Sequence, residues 1–251
     1  MPEPDTSAAA LPSLAGRVAL VTGAARRIGH AVALRLAREG ADVVVHYRGS
    51  QTAAGETVSA IRALGRRAEA VSADLRDLAG IRRLFAEAAR RFPRLDILVN
   101  NAAVFFPATI DTATEEQWDT ALDTNLKAYF FCAQAAAPAL RQSRGVIVNF
   151  ASLGGLMPWP GFIPYCVSKA GVIMLNRCLA RALAPEVRVN AIATGTVTMP
   201  EDAPELEADF IRLAPLKRTG TPEEVANAVS FLIHSPTVTG QLLVLDSGRS
   251  L

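Results

Sequence analysis

Short apolar runs alternate along the chain with longer segments whose apolar residues recur every third or fourth position. The runs fall at 17–21, 42–46, 68–72, 96–99, 145–150, 187–193 and 242–245. Several, such as Val43-Val44-Val45, have no polar residue at alternate positions, the pattern of strands covered on both faces. Between the first two runs, Ile28, Val32 and Leu36 stand at i, i+4 and i+8, and Gly40 follows. That spacing predicts an amphipathic helix with a glycine stop. Helices are predicted near 27–39, 52–64, 77–91, 114–137, 163–183 and 222–234. Thr114 with Gln117, and Thr221-Pro222-Glu223-Glu224, have the form of helix starts with reciprocal caps. Pro138 is expected to end or bend the fourth helix. This alternation predicts an α/β fold: one domain over 15–251, built on a seven-stranded, mostly parallel sheet with helices on both faces. Residues 1–14 read as a flexible tail. The segment 198–216 breaks the alternation with three prolines and five acidic residues, and reads as a lid over a substrate site.

Composition adds exclusions. Half of the 251 residues are apolar, yet no run reaches the length of a membrane span. The opening Met1-Pro-Glu-Pro-Asp-Thr6 lacks the basic region and apolar core of a signal peptide. The net charge of +2 gives no support for nucleic-acid binding. Cys132, Cys166 and Cys178 lack metal-ligand spacing and imply a reducing, cytoplasmic compartment, with core or wall packing as the expected role of Cys166. The three His are scattered, and no metal site is expected.

Two constellations carry chemistry. Tyr165 and Lys169 are four apart, which sets a phenol and an ammonium on one helix face, one turn apart. The ammonium is expected to lower the phenol pKa, so that Tyr165 can give a proton to a carbonyl or imine. Ser152 lies thirteen residues before the Tyr. Upstream, Arg17-Val-Ala-Leu-Val21 runs into Thr22-Gly23-Ala24-Ala25-Arg26-Arg27-Ile28-Gly29 and then a helix. A glycine-rich strand-to-helix turn lets backbone approach a pyrophosphate and aims helix N–H groups at it.

Together these features resemble the short-chain dehydrogenase/reductase family. Further motifs follow in the family's order: Asn100-Asn101-Ala102-Ala103, Asn125, Thr194-Gly195, Thr239-Gly240 and Asp246-Ser247-Gly248. The resemblance implies a Rossmann fold and a catalytic set of Ser152, Tyr165, Lys169 and Asn125. In it Asn125 would hold a water that links Lys169 to solvent. It implies a cofactor site made by Gly23, Arg26, Arg27, Ile28 and Gly29 in the turn, and by Tyr47, Arg48 and Ser50 after the second strand. Asp74 with Leu75 would hold the adenine, and Asn101, Ala102, Tyr165, Lys169, Gly195 and Val197 would complete the site. The second strand, Asp42-Val-Val-Val-His-Tyr47, is followed by Arg48 and Ser50 and by no acid. A carboxylate there would bind a ribose hydroxyl, whereas a cation and a hydroxyl suit a 2′-phosphate, so NADP(H) is expected.

Arg27 in place of the turn's middle glycine, His46-Tyr47, and Asn101-Ala102-Ala103-Val104-Phe105-Phe106-Pro107 are closest in motif to the pteridine reductases. That likeness implies that Phe105 stacks on a flat substrate and that Arg27 turns toward the pyrophosphate. Ser152 departs from it, since those enzymes carry Asp there, and favours a carbonyl oxygen. Met157, Trp159 and Phe162 suggest an apolar cavity with Trp159 in its wall. The function expected is NADPH-dependent hydride transfer to C=O or C=N, by a pteridine reductase or by a 3-oxoacyl or general carbonyl reductase. A non-catalytic NADP(H)-binding sensor is the rival of another class. The family also implies a homotetramer, joined through the helix of Ala128, Phe130, Phe131 and Ala135 and through Leu242–Leu251.

Overall fold

The computed structural model describes residues 13–199, 202 and 205–251. Strand β1 (Val18–Val21) leads to α1 (Arg27–Arg38), and β2 (Asp42–Tyr47) to α2 (Gln51–Ala63). Then come β3 (Ala68–Ser72), α3 (Leu78–Arg91) and β4 (Ile97–Asn100). Helices α4 (Glu115–Leu122) and α5 (Ala128–Ser143) are joined by a π-helical turn, Asp123–Lys127. Strand β5 (Val146–Phe150) precedes α6 (Ile163–Leu183) and β6 (Arg188–Thr194). Helices α7 (Glu205–Leu213) and α8 (Pro222–His234) precede β7 (Leu242–Leu245). The strand order is β3-β2-β1-β4-β5-β6-β7, and all neighbouring pairs are parallel.

Alternation inside the strands divides the core in two. Ala19, Val21, Val43, Val45, Val146 and Val148 face α1, α2 and α8, where Val32, Leu36, Ile61 and Val229 meet them. Leu20, Val44, Leu98 and Ile147 face the other way, onto Ile81 and Leu84 of α3, Ala133 of α5 and Leu179 of α6. A strand buried on both faces has no polar side, which is why these runs carry no alternating polar residues. Strand order reverses between β1 and β4, and a crevice opens there at the carboxyl ends of the strands.

Strand and helix positions agree with the sequence reading to within a residue or two, apart from the helical run of α4 and α5, and both capping boxes form, at Thr114 and Thr221. Four expectations change. The sheet is wholly rather than mostly parallel. Pro138 does not end its helix, because α5 runs on to Ser143. Pro138 and Gln134 are both exposed, so the carbonyl that loses its N–H partner lies on the solvent face. Within 198–216 the described residues include a helix, α7, whose apolar positions are hidden among acids. Leu14, placed in the tail, is buried in the core and donates its N–H to Glu39 (2.7 Å). Residues 1–12 of the tail, and residues 200, 201, 203 and 204 of the lid segment, lie outside the described residues.

Candidate active site

The turn after β1 is held by its own side chains. Thr22 Oγ1 accepts the N–H groups of Asn101 (2.9 Å) and Ala102 (3.0 Å) and donates to the Val99 carbonyl (3.3 Å). The Asn101 amide donates back to the carbonyls of Thr22 (2.8 Å) and Gly23 (3.2 Å). Gly23 has φ +64°, and a Cβ there would sit 3.0 Å from the Ala102 Cα, so the close approach of the two loops requires glycine. Helix α1 then begins at Arg27, with no side-chain cap and no acid in its first turn. Its first turn lines the crevice and carries no acid of its own, which suits an anion at that end.

The crevice holds about 500 Å³. Gly23, Arg26, Arg27, Ile28 and Gly29 line one end, and Tyr47, Arg48, Ser50, Asp74 and Leu75 the other, with Asn101 and Ala102 between them. Thr124 also lines it, and its buried hydroxyl has no hydrogen-bond partner among the described residues. A helix start without acids, three arginines and an orphaned hydroxyl fit an anionic dinucleotide. The Asp74 carboxyl is held below its usual range, first by its hydrogen bond with Arg76, and remains an acceptor. Four expected members do not line it: Tyr165 and Lys169, which stand on α6, and Gly195 and Val197. Gly195 packs against Phe210 of α7 and against Asp246, and Val197 bridges to Gly220.

Ser152, two residues past the end of β5, is buried and accepts from the N–H of Gly154 (3.2 Å). Tyr165 stands in the first turn of α6, with Lys169 one turn on. The Lys169 Nζ donates to the Phe150 carbonyl (2.7 Å) and to the Tyr129 hydroxyl (3.4 Å), and lies 5.9 Å from the centre of the Tyr165 ring. Burial pushes the Tyr165 phenol above its ordinary pKa, against a downward pull from its hydrogen bond with Ser152. The expected lowering by Lys169 is thus not found: burial without a counter-ion brings Lys169 itself down to about 7. Asn125 lies in the π-helical turn and clamps the backbone of Val104 through both amide atoms (2.8 and 3.0 Å), with a third bond to Ser168 (3.1 Å).

Four rings meet at the Tyr165 end. Phe105 stacks on Phe162 (4.4 Å, 7°) and meets Tyr165 edge-on (4.7 Å), while Trp159 lies parallel to Tyr165 (6.2 Å, 6°). Phe105 and Trp159 therefore belong to one ring cluster with Phe162 and Tyr165, and one face of Phe105 is covered by Phe162. Arg27 lines the crevice, but its guanidinium forks onto Asp202 (2.7 and 2.8 Å) and holds that carboxyl down at about 2. This ties the 198–216 segment to the glycine-rich turn. Among the described residues, no group of three or more His, Cys, Asp or Glu is placed to hold a metal ion, and no helix is long and apolar enough to cross a membrane.

Residues 23–250 match a family model described as enoyl-(acyl carrier protein) reductase. The 3-oxoacyl-(acyl-carrier-protein) reductase FabG of Staphylococcus aureus is 39% identical over 237 residues, covering 92% of this chain and 96% of that protein. The 3beta-hydroxysteroid dehydrogenase 1 of Eggerthella lenta is 39% identical over 248 residues, covering 95% of each. The chain belongs to the short-chain dehydrogenase/reductase family. A solved member from Serratia marcescens superposes with a TM-score of 0.91 at 33% identity, over 95% of this chain and 99% of that one. A blue fluorescent protein from a metagenomic library, solved with NADPH, gives 0.90 at 31% identity over 95% and 100%. As a short-chain dehydrogenase/reductase the chain is an oxidoreductase.

Thr22, His46, Thr124 and Tyr129 were not singled out as site residues in the sequence. Thr22 and Thr124 each adjoin a residue that was, which is the signal available for them. His46 and Tyr129 are polar residues within otherwise apolar stretches, Val43-Val44-Val45-His46 and Ala128-Tyr129-Phe130-Phe131. A buried polar group in such a stretch needs a partner, and that need is the clue.

Proposed function

We propose that the chain is an NADP(H)-dependent reductase of apolar carbonyl compounds. One observation carries the reading: Ser152, Tyr165 and Lys169 stand together beside a crevice that has Arg48 and Ser50, and no acid, at the end of β2. Arg48 and Ser50 would hold the 2′-phosphate, the first turn of α1 the pyrophosphate, and Asp74 the adenine edge. When bound, the nicotinamide supplies the hydride. The related protein solved with NADPH supports that choice of cofactor.

Tyr165 gives its proton to the carbonyl oxygen as negative charge develops there. The Ser152 hydroxyl donates to the same oxygen and orients it. Lys169 has a pKa near the working pH and can hand a proton toward Tyr165. Asn125 keeps the Val104 backbone, and hence the loop carrying Phe105, in register with α6. The segment ending in α7, tied to Arg27 through Asp202, would act as the lid. A homotetramer is the assembly we propose, supported by exposed Phe130 on α5 and exposed Val167 and Met174 on α6.

The carbonyl reading is preferred to the pterin reading for two reasons. Ser152 suits a carbonyl oxygen, and one face of Phe105 is already taken by Phe162. The names of the two relatives, an oxoacyl reductase and a hydroxysteroid dehydrogenase, also support a carbonyl or alcohol carbon. NADPH oxidation should be followed with a β-ketoacyl thioester, a cyclic ketone and a dihydropterin. Consumption with the first two is expected, and turnover by Tyr165→Phe should fall by at least about 100-fold while its NADPH affinity holds. Turnover with the dihydropterin alone would reverse the preference. NADPH binding with no turnover on any of them would favour a sensor.

A further inference from the structure

His46 is 2% exposed, near the end of a strand whose other buried residues are all valines. An imidazole there is tolerated only if both nitrogens are bonded. Its Nδ1 lies 3.0 Å from the backbone N of Gly23. That partner can only donate, so Nδ1 is the acceptor. Its Nε2 lies 3.1 Å from the Ala73 carbonyl oxygen, which can only accept, so Nε2 carries the proton. One neutral tautomer satisfies both bonds, and burial, the largest influence on the ring, lowers its pKa to about 4.

The two partners belong to different loops. Gly23 opens the turn into α1, and Ala73 leads into Asp74 and Leu75. Backbone bonds run alongside the ring: Ala24 N–H to the His46 carbonyl (2.9 Å) and Ala73 N–H to the Tyr47 carbonyl (3.0 Å). His46, Gly23, Ala73 and Asp74 all line the crevice. The ring therefore bridges the glycine-rich turn and the Ala73–Leu75 loop, the two stretches assigned to the pyrophosphate and the adenine.

We propose that His46 is a positioning residue that fixes the distance between the glycine-rich turn and the Ala73–Leu75 loop, and so sets the span the dinucleotide must fit. This rests on the dinucleotide lying in that cleft. Both bonds run to uncharged backbone groups, so the effect is the same for NADPH and NADH, both of which carry the pyrophosphate and the adenine.

The test compares Kd for NADPH and NADH, by calorimetry on the full chain, in wild type, His46→Leu, His46→Asn, His46→Gln and Arg48→Ala, with the melting temperature of each. His46→Leu offers neither bond, and His46→Asn is too short to reach both loops. Each should raise Kd for both nucleotides by about tenfold. In steady state the loss should fall on KM for NADPH rather than on kcat. His46→Gln has an acceptor and a donor at longer reach, and should recover affinity to within about threefold. Arg48→Ala should raise Kd for NADPH and spare NADH. Unchanged Kd in folded His46→Asn or His46→Leu would overturn the proposal. So would a fall in kcat and melting temperature with KM unmoved, which marks a purely structural histidine. If wild type bound neither nucleotide, the cleft assignment would fall first and the proposal with it.

Discussion

At the β1–β4 end of the crevice, every loop is held by directed hydrogen bonds from buried or half-buried side chains to backbone. Thr22 holds Asn101 and Ala102, Asn101 holds Thr22 and Gly23, and His46 holds Gly23 and Ala73. At the β5–α6 end, the wall is made of rings in contact: Phe105, Trp159, Phe162 and Tyr165. Hydrogen bonds specify distance and angle, so the first end has one shape. Ring contacts are shallow in energy and can be exchanged for others of similar area, so the second end can take new contours without loss of fold. On the assignment proposed above, the first end would meet a cofactor that does not vary, and the second a substrate that does. The two relatives of equal identity, one named for oxoacyl groups and one for a steroid, fit this division.

Breaking the stapled end should cost most. Thr22→Val keeps shape but leaves the N–H groups of Asn101 and Ala102 without their acceptor, and should lower stability by about 3 kcal/mol in urea unfolding, with NADPH affinity falling in parallel. A loss confined to turnover would show that the staple does not shape the cleft.

Lys169 is a buried charged group at the other end, and Lys169→Met would sharpen the contrast. Burial lowers the folded-state pKa of Lys169 from 10.5 to about 7. Between those values the unfolded chain holds a proton that the folded chain has released, so wild-type stability rises with pH from about 7 to 10.5. Below about 7 the full cost of burying the ammonium remains. The cofactor-free Met variant should lack that slope and be more stable at pH 7 by about 2 kcal/mol, while turning over far more slowly. Parallel pH–stability curves for the two proteins would refute this. Phe105→Ala should do least to the fold. The ring is 58% exposed, so stability should drop by about 1 kcal/mol or less, with the change seen instead in KM across a ketone panel.

The sheet was legible because buried parallel strands write themselves as unbroken apolar runs such as Val43-Val44-Val45. The glycine-rich turn and the Tyr165–Lys169 pair were legible because each needs fixed residue types at fixed spacing. Helix α7 was not, because five acids and three prolines mask the apolar residues of its segment. The true partners of Lys169 were not legible either. They come from β5 and α5, and only the fold brings Phe150 and Tyr129 to it. Arg27 was read as turning to the pyrophosphate, but Asp202, distant by 175 positions, claims its guanidinium in this state.

The π-helical turn at Asp123–Lys127 has a consequence for chain length. It holds one more residue than an α-helical turn of the same rise would need. Removing a residue there would turn everything after it by about 100° relative to everything before, at 3.6 residues per turn. Asn125 could then no longer reach Val104 and Ser168 while Tyr129 still met Lys169. The surface loops of this protein can grow or shrink, but this stretch of helix has its residue count fixed.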